Sequence, residues 1–215
     1  MGVLERRARE KEALRTRILD ATSKLIIEEG FENLSIRRIA ERIEYSPATI
    51  YLYFKDKAEL IAAICEEAFS EMLETIGQAC ESTPDPVEGL RRGLRAYIDF
   101  GIRHPSHYLI VFGTSSLVDH QNTSEPNDLG MQTYGLLKRG IQACIDSGTI
   151  PPSDVEIASR VTWMAIHGIT SMAIMEIAES CPGKFAPLDR EQLIESGLDL
   201  VIAGLRNCTL PSTVR

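Results

Sequence analysis

The sequence predicts an all-α chain. Helical spacing of apolar residues runs through its 215 residues. No useful stretch alternates apolar and polar as a half-buried strand would. Proline and glycine fall between the periodic segments, where helices end.

The elements follow in order. Leu14, Ile18, Ala21 and Leu25 mark one face of a first helix that stops at Gly30, a good residue just past a helix end. Ser35 can cap a short second helix carrying Ile36, Ile39, Ala40 and Ile43. Ser46-Pro47 reads as an N-cap followed by proline at the first helical position, opening a third helix to about residue 54. Asp56, with Glu59 three residues on, fits a capping box for a fourth helix through Leu60, Ile61, Ile64 and Phe69. Pro84 and Pro86 break the chain. Val87, Leu90, Leu94, Tyr97 and Ile98 then give a fifth helical face, ended by His104-Pro105. A short apolar piece covers residues 108–112, and residues 113–128 read as a polar loop. Helices are expected over about 129–146, from the Pro151-Pro152-Ser153 punctuation to about 179, and over about 189–206.

Composition narrows the class. Hydrophobic residues are 44% and charged residues 25%, enough for a core and a wetted surface. The N-terminus carries charges where a secretory signal needs an apolar run, so a cytoplasmic chain is expected. The apolar stretch 161–178 contains His167 and Glu176 and reads as a buried helix rather than a membrane span. The odd set Cys65, Cys80, Cys144, Cys181 and Cys208 has no tight metal spacing and reads as free thiols. No metal or cofactor is expected. The net charge is −8, unevenly spread: residues 1–60 hold 12 Lys/Arg against 11 Asp/Glu, and the remainder holds 11 against 20. A near-neutral head with clustered arginines before an acidic body suits contact with phosphate at one end only. A solvated charged helix explains the first cluster equally well.

Residues 35–54 hold the specific signal. Two short amphipathic helices about three residues apart are each too short to persist alone. As a packed pair, with Ala40 at the crossing and Ile50 inward, they suit a helix-turn-helix. The outer face of the second would offer Tyr45, Ser46, Ala48, Thr49, Tyr51 and Tyr53. Hydroxyls and small groups there can reach phosphates, base edges and thymine methyls.

The run Ser35-Ile36-Arg37-Arg38-Ile39-Ala40-Glu41-Arg42-Ile43-Glu44-Tyr45-Ser46-Pro47-Ala48-Thr49-Ile50-Tyr51-Leu52-Tyr53-Phe54-Lys55-Asp56-Lys57-Ala58-Glu59-Leu60 resembles the TetR/AcrR family of regulators. The Ile-Ala pair, the Ser-opened recognition helix, the Tyr-x-x-Phe ending and the Lys-x-x-Leu start of the next helix carry the likeness. Glu44 departs from it, standing where the family often has glycine. The resemblance implies a three-helix DNA-binding domain over residues 1–57 and a larger helical dimerisation and effector domain over 58–215. It implies operator contacts from Ser46, Pro47, Ala48, Thr49, Tyr51 and Tyr53, with Tyr45 beside them. Lys57 would clamp a phosphate, Arg37 and Arg38 would make second-helix phosphate contacts, and Ser35 would cap that helix. Further on, Trp163-Met164-Ala165-Ile166-His167-Gly168 resembles the Trp-to-His-Gly signature of one class of TetR C-terminal domains. His104-Pro105-Ser106-His107-Tyr108 resembles the turn before that class's sixth helix.

The expected function is therefore a homodimeric transcription regulator, most simply a repressor released from a palindromic double-stranded operator by a small apolar effector. The effector set would be Tyr97, Phe100, Tyr108, Phe112, Tyr134, Trp163 and His167, with Met131 and Met172 beside them. Taken singly, each suits plain core as well. The resemblance places the dimer face on the last two long helices. The sequence is compatible, since Ala158, Ala165, Gly168, Ala173, Gly197, Val201 and Gly204 permit close approach and Leu193, Leu200 and Leu205 add apolar area. Whether Gly197 and Gly204 face the partner or the protomer's own core stays open. Two rivals remain. A helix-turn-helix protein without a ligand would not need so large an apolar body. An enzyme would need a motif that His104, His107, His120 and His167 do not form.

Overall fold

The computed structural model describes residues 2–113, 129–175 and 189–207, and every described element is helical. The helices are α1 (Val3–Glu29), α2 (Ile36–Ile43), α3 (Pro47–Tyr51), α4 (Lys57–Glu81), α5 (Pro86–Arg103), α6 (Pro105–Gly113), α7 (Leu129–Asp146), α8 (Val155–Ile174) and α9 (Arg190–Asn207). A 3-10 turn, Phe31–Asn33, joins α1 to α2. The short apolar piece is a full helix beginning at Pro105 and includes Gly113; the rest of the expected loop, residues 114–128, lies outside the described residues. The third helix is shorter than expected and ends at Tyr51.

The caps show why these segments fold where they do. Ser35 Oγ accepts the Arg38 amide at 3.3 Å, and Ser46 Oγ accepts the Thr49 amide at 3.2 Å. Asp56 accepts the Glu59 amide at 2.8 Å, while Glu59 reaches back to the Lys55 amide, one residue beyond a standard capping box. Asp85 caps α5, whose first residue is Pro86. Asp154 caps α8, not the preceding Ser153, whose hydroxyl donates to the Pro151 carbonyl.

Two helix ends close identically with different residues. At the end of α7 the Thr149 amide bonds the Cys144 carbonyl and the Gly148 amide bonds the Ile145 carbonyl, with Gly148 at φ 73°. At the end of α2 the Tyr45 amide bonds the Ala40 carbonyl and the Glu44 amide bonds the Glu41 carbonyl, with Glu44 at φ 63°. Both are Schellman closures, which need a left-handed residue. Glu44 holds that conformation despite its Cβ, at a cost of about 1 kcal/mol.

The chain divides into two compact units: residues 1–68 with 106–124, and residues 69–105 with 125–215. The division falls inside the unbroken helix α4. The core of the first unit is built from Ile18, Leu25, Ile39, Ala40, Ile43, Ile50, Phe54, Leu60, Ile64 and Ile110 among others. In the second unit α5 is the central helix, packing against α7, α8 and α9. Its glycines set the spacing. A methyl at Gly89 would lie 2.8 Å from the Cys80 carbonyl, and one at Gly93 would strike the Cys80 sulfur. Arg91 and Arg95 of α5 bind Glu195 together, with Asp199 and Glu191 as further partners on α9. Among the described residues no helix is long and apolar enough to cross a membrane.

Candidate DNA interface and effector unit

α3 presents its face in two layers. Ile50 and Phe54 are buried in the core of the first unit. Tyr45, Ser46, Pro47, Ala48 and Tyr51 are exposed, Tyr51 by 55%. Thr49 is half-buried, and its hydroxyl sits 3.0 Å from Ser46 Oγ. Tyr53 is also half-buried and packs on the core, so it is only partly offered outward.

The expected phosphate contacts are all engaged within the chain. Arg37 bonds Glu41 at 2.9 Å, and Arg38 bonds Glu29 at 2.6 Å. Both pairs are solvent-exposed and weak, so a phosphate can compete for either guanidinium. Lys57 Nζ donates to the Phe31 carbonyl at 2.9 Å and lies 3.7 Å from the centre of the Phe31 ring. Burial lowers the Lys57 pKa. The carbonyl and the ring fix the ammonium, which has further N–H bonds available.

Two further candidates for this surface escaped the sequence. Leu52, at the end of α3, is 78% exposed, the kind of apolar side chain that meets a thymine methyl. Arg17 of α1 donates to the Ile43 carbonyl at 3.2 Å and lies 5.7 Å from the Tyr45 ring centre, bracing the turn between α2 and α3. No local pattern marks either; both depend on where the turn folds.

The aromatic set separates. Tyr108 and Phe112 belong to the first unit, with ring centres 4.7 Å apart. Tyr97, Phe100, Tyr134, Trp163 and His167 belong to the second. There the Tyr97 hydroxyl lies 3.3 Å from His167 Nδ1, and the His167 and Trp163 rings are 5.5 Å apart. Burial lowers the His167 pKa, which favours the neutral imidazole. Phe100 is fully buried against His104. Tyr134 stands elsewhere, its hydroxyl bonding Glu156 beside Lys138 and Arg160. These two cations hold the Glu156 carboxyl at a pKa of about 2. Met131 and Met172 are exposed rather than turned into the second unit.

The helix interiors add polar groups that periodicity conceals. Thr22, Thr133 and Thr170 each return their hydroxyl to the carbonyl four residues back, at 2.8 Å. Ser159 and Thr162 are buried on α8, and their hydroxyls have no hydrogen-bond partner among the described residues. A cleft of 380 Å³ opens between the start of α5 and the end of α9, lined by Asp85, Glu88, Arg91, Asp199 and Arg206. Val87, Ile202, Ala203 and Asn207 complete its wall, which contains none of the expected aromatics.

The helices expected to pair with a second copy also sort into two sets. Ala158 and Leu205 are buried in the protomer's own core. A methyl at Gly197 would lie 2.8 Å from Ile169 Cδ1, so Gly197 admits α8 of its own chain. Ala158 and Leu205 are thereby corrections to the expected dimer face, and Gly197, whose facing the sequence left open, packs on its own chain. Gly168 and Gly204 face open space, and Val161, Met164, Met172, Leu193 and Leu200 are exposed on the same two helices. Burial raises the Cys65 and Cys144 thiols to about 11 and raises Cys80 as well, which leaves little thiolate for redox chemistry. Cys181 and Cys208 lie outside the described residues.

Two family models match the chain. Residues 18–64 match the bacterial regulatory proteins of the tetR family, and residues 90–201 match a tetracyclin repressor-like C-terminal domain. The transcriptional activator FasR of Mycolicibacterium smegmatis is 24% identical over 203 residues, covering 91% of this chain and 84% of that one. The fatty acid metabolism regulator of Bacillus subtilis is 24% identical over 197 residues, covering 88% and 94%. Among solved structures, PfmR from Thermus thermophilus superposes with a TM-score of 0.72 at 22% identity, covering 88% and 98%. FadR from Bacillus subtilis in complex with stearoyl-CoA superposes with a TM-score of 0.69 at 20% identity, also covering 88% and 98%.

Proposed function

The chain belongs to the TetR family of bacterial regulatory proteins, and from that premise we propose that it is an operator-binding homodimer whose grip on DNA is released by a long-chain apolar effector. It is a DNA-binding transcription regulator, not an enzyme. The observation that carries the proposal is the outer face of α3: exposed Tyr45, Ser46, Ala48, Tyr51 and Leu52 over buried Ile50 and Phe54. Each protomer lays this face in a major groove, two grooves about 34 Å apart on a palindrome. Ser35 orders α2, Arg37 and Arg38 reach phosphates beside it, Thr49 and Tyr53 hold α3, and Lys57 clamps a phosphate at the start of α4. The protein acts in the cytoplasm, where the operator is.

The second copy docks on the open face of α8 and α9 that includes Gly168 and Gly204. Val161, Met164, Met172, Leu193 and Leu200 supply the apolar area. So exposed an apolar face on one protomer is the mark of an interface.

The effector enters the second unit near Tyr97, Trp163 and His167. A neutral His167 adds no fixed charge there, which suits an acyl chain. Ser159 and Thr162 offer buried hydroxyls to a carbonyl within it. The Bacillus subtilis neighbour holds stearoyl-CoA, and we take the same class, long-chain acyl thioesters, for this chain. The effector acts through α4, which begins at Lys57 and runs unbroken into the second unit. It shifts DNA binding only by its preference for one state. A mobility-shift titration on the DNA upstream of the protein's own gene tests the reading, with stearoyl-CoA, stearate and coenzyme A alone as additions. Release by stearoyl-CoA only is expected. Binding that none of the three alters would refute the effector class. Tighter binding with stearoyl-CoA would make the protein a ligand-assisted binder instead.

A further inference from the structure

Residues Glu5–Ala13 of α1 have no part in the core. No residue of Glu5–Ala13 is buried; Leu14 is the first even half-buried, and Ile18 the first fully so. The matched family segment also begins at residue 18, so these turns lie outside what that model describes. They carry Arg6, Arg7, Arg9 and Lys11.

Arg17 fixes which way these turns face. Its guanidinium bonds the Ile43 carbonyl and lies beside the Tyr45 ring, so that side of α1 adjoins the turn that opens α3. At about 100° per residue, Arg6 falls within about 20° of Arg17 around the helix, and Arg7 and Arg9 within about 80° on either side. Glu5 and Glu12 fall about 120–140° away. Glu5 is further occupied by the Gly2 amide at 3.0 Å, and Glu10 by Arg6 at 3.5 Å. The side continuous with Arg17 and Tyr45 therefore carries three arginines against one glutamate, and Arg6 stands about 16 Å along the axis from Arg17.

We propose that the exposed N-terminal turns of α1 are a second DNA-contacting element, in which Arg6, Arg7 and Arg9 grip backbone phosphates flanking the segment read by α3. This rests on the operator-binding reading of the first unit. The occupant is the duplex already held by α3, since the basic strip continues that face. Phosphate contacts of this kind add affinity and salt dependence without adding base choice.

The test uses the full chain and a duplex selected by it from a random-sequence library. That duplex is prepared as a trimmed core of about 20 base pairs and as a long form with about ten more on each side, so that only the long form offers flanking phosphates. Arg6→Ala/Arg7→Ala/Arg9→Ala keeps strong helix formers at exposed positions, so it folds. On the long duplex at about 0.1 M salt its affinity falls at least about tenfold, and the slope of log K against log salt flattens by about 0.9 for each phosphate no longer neutralised. On the trimmed core it binds like the parent. Arg6→Lys/Arg7→Lys/Arg9→Lys restores most of the loss, because a phosphate accepts either cation. Hydrogen exchange across residues 3–13 slows when the long duplex is added, and not with the core. A triple alanine variant that matches the parent on the long duplex overturns the proposal, as does an equal loss on both duplexes. Tyr51→Ala serves as the separate control. If it binds both duplexes as the parent does, the α3 reading fails while the arm is judged on its own data. A parent that binds no duplex overturns both.

Discussion

The two units present their functional chemistry in opposite directions. In the first, α3 buries Ile50 and turns Tyr45, Ser46, Ala48, Tyr51 and Leu52 outward. In the second, α5 and α8 turn Tyr97, Phe100, Ser159 and Thr162 inward, while α8 and α9 leave methionines and leucines outside. A head that reads a rigid external polymer needs polar groups on its surface and a small fixed core beneath. A body proposed to take an apolar molecule and a second copy of itself needs the reverse. The contrast accords with the charge pattern, in which residues 1–60 hold 12 Lys/Arg against 11 Asp/Glu and the remainder holds 11 against 20.

The strongest way to break this contrast is to make the body's outer face polar. Leu200→Glu with Met164→Glu puts two charges on the face assigned to the second copy. Neither side chain is buried in the protomer, so the fold persists. Sedimentation at micromolar concentration is expected to move from dimer to monomer, and DNA affinity to fall with it. A variant that remains dimeric would place the interface elsewhere.

Next comes packing within the body. Gly197→Val drives a branched side chain into Ile169, which a methyl would already meet at 2.8 Å. Denaturant unfolding should show a loss of about 1–3 kcal/mol, the usual cost of overpacking. The same substitution at Gly204, which faces open space, should instead act on dimerisation.

A smaller effect, of opposite sign, lies in the head. Glu44→Gly relieves the left-handed backbone at the end of α2, as Gly148 already does for α7. Stability should rise by up to about 1 kcal/mol, measured by thermal or denaturant unfolding. No gain would mean that the Glu44 side chain makes a compensating interaction of its own.

The smallest effect is titration of the half-buried His167. Burial lowers the His167 pKa, so as pH falls below about 6.5 the unfolded chain takes up a proton first. Stability from the neutral ring is complete above that pH and declines as pH falls toward the folded value. Comparing unfolding at several pH values, His167→Gln should flatten this part of the profile relative to the parent.

How much of this was legible in the sequence follows from the same contrast. The head was readable because caps and turn residues are local: Ser35, Ser46-Pro47 and Asp56 announce helix starts within three residues. Arg17 and Leu52 were not, because their roles depend on tertiary placement rather than on spacing. In the body, inward aromatic residues look alike whether they pack or bind. Periodicity grouped Tyr108 and Phe112 with Tyr97 and Trp163, yet the first pair lies in the other compact unit. Glycines were equally ambiguous. Gly197 and Gly204 are seven residues apart on one helix, but one meets Ile169 and the other meets nothing. Unsatisfied hydroxyls such as Ser159 and Thr162 leave no sequence trace at all.

The central claim is that the outer face of α3 holds the DNA. Its most direct test is the equilibrium binding constant of Tyr51→Ala on a duplex selected by the parent protein, measured by fluorescence anisotropy beside a melting curve. Tyr51 is 55% exposed and supports no core, so the melting temperature should stay within about a degree or two of the parent. Binding should weaken by about 1–3 kcal/mol, roughly tenfold to a hundredfold or more. A variant that melts like the parent and binds the duplex equally tightly would contradict the account.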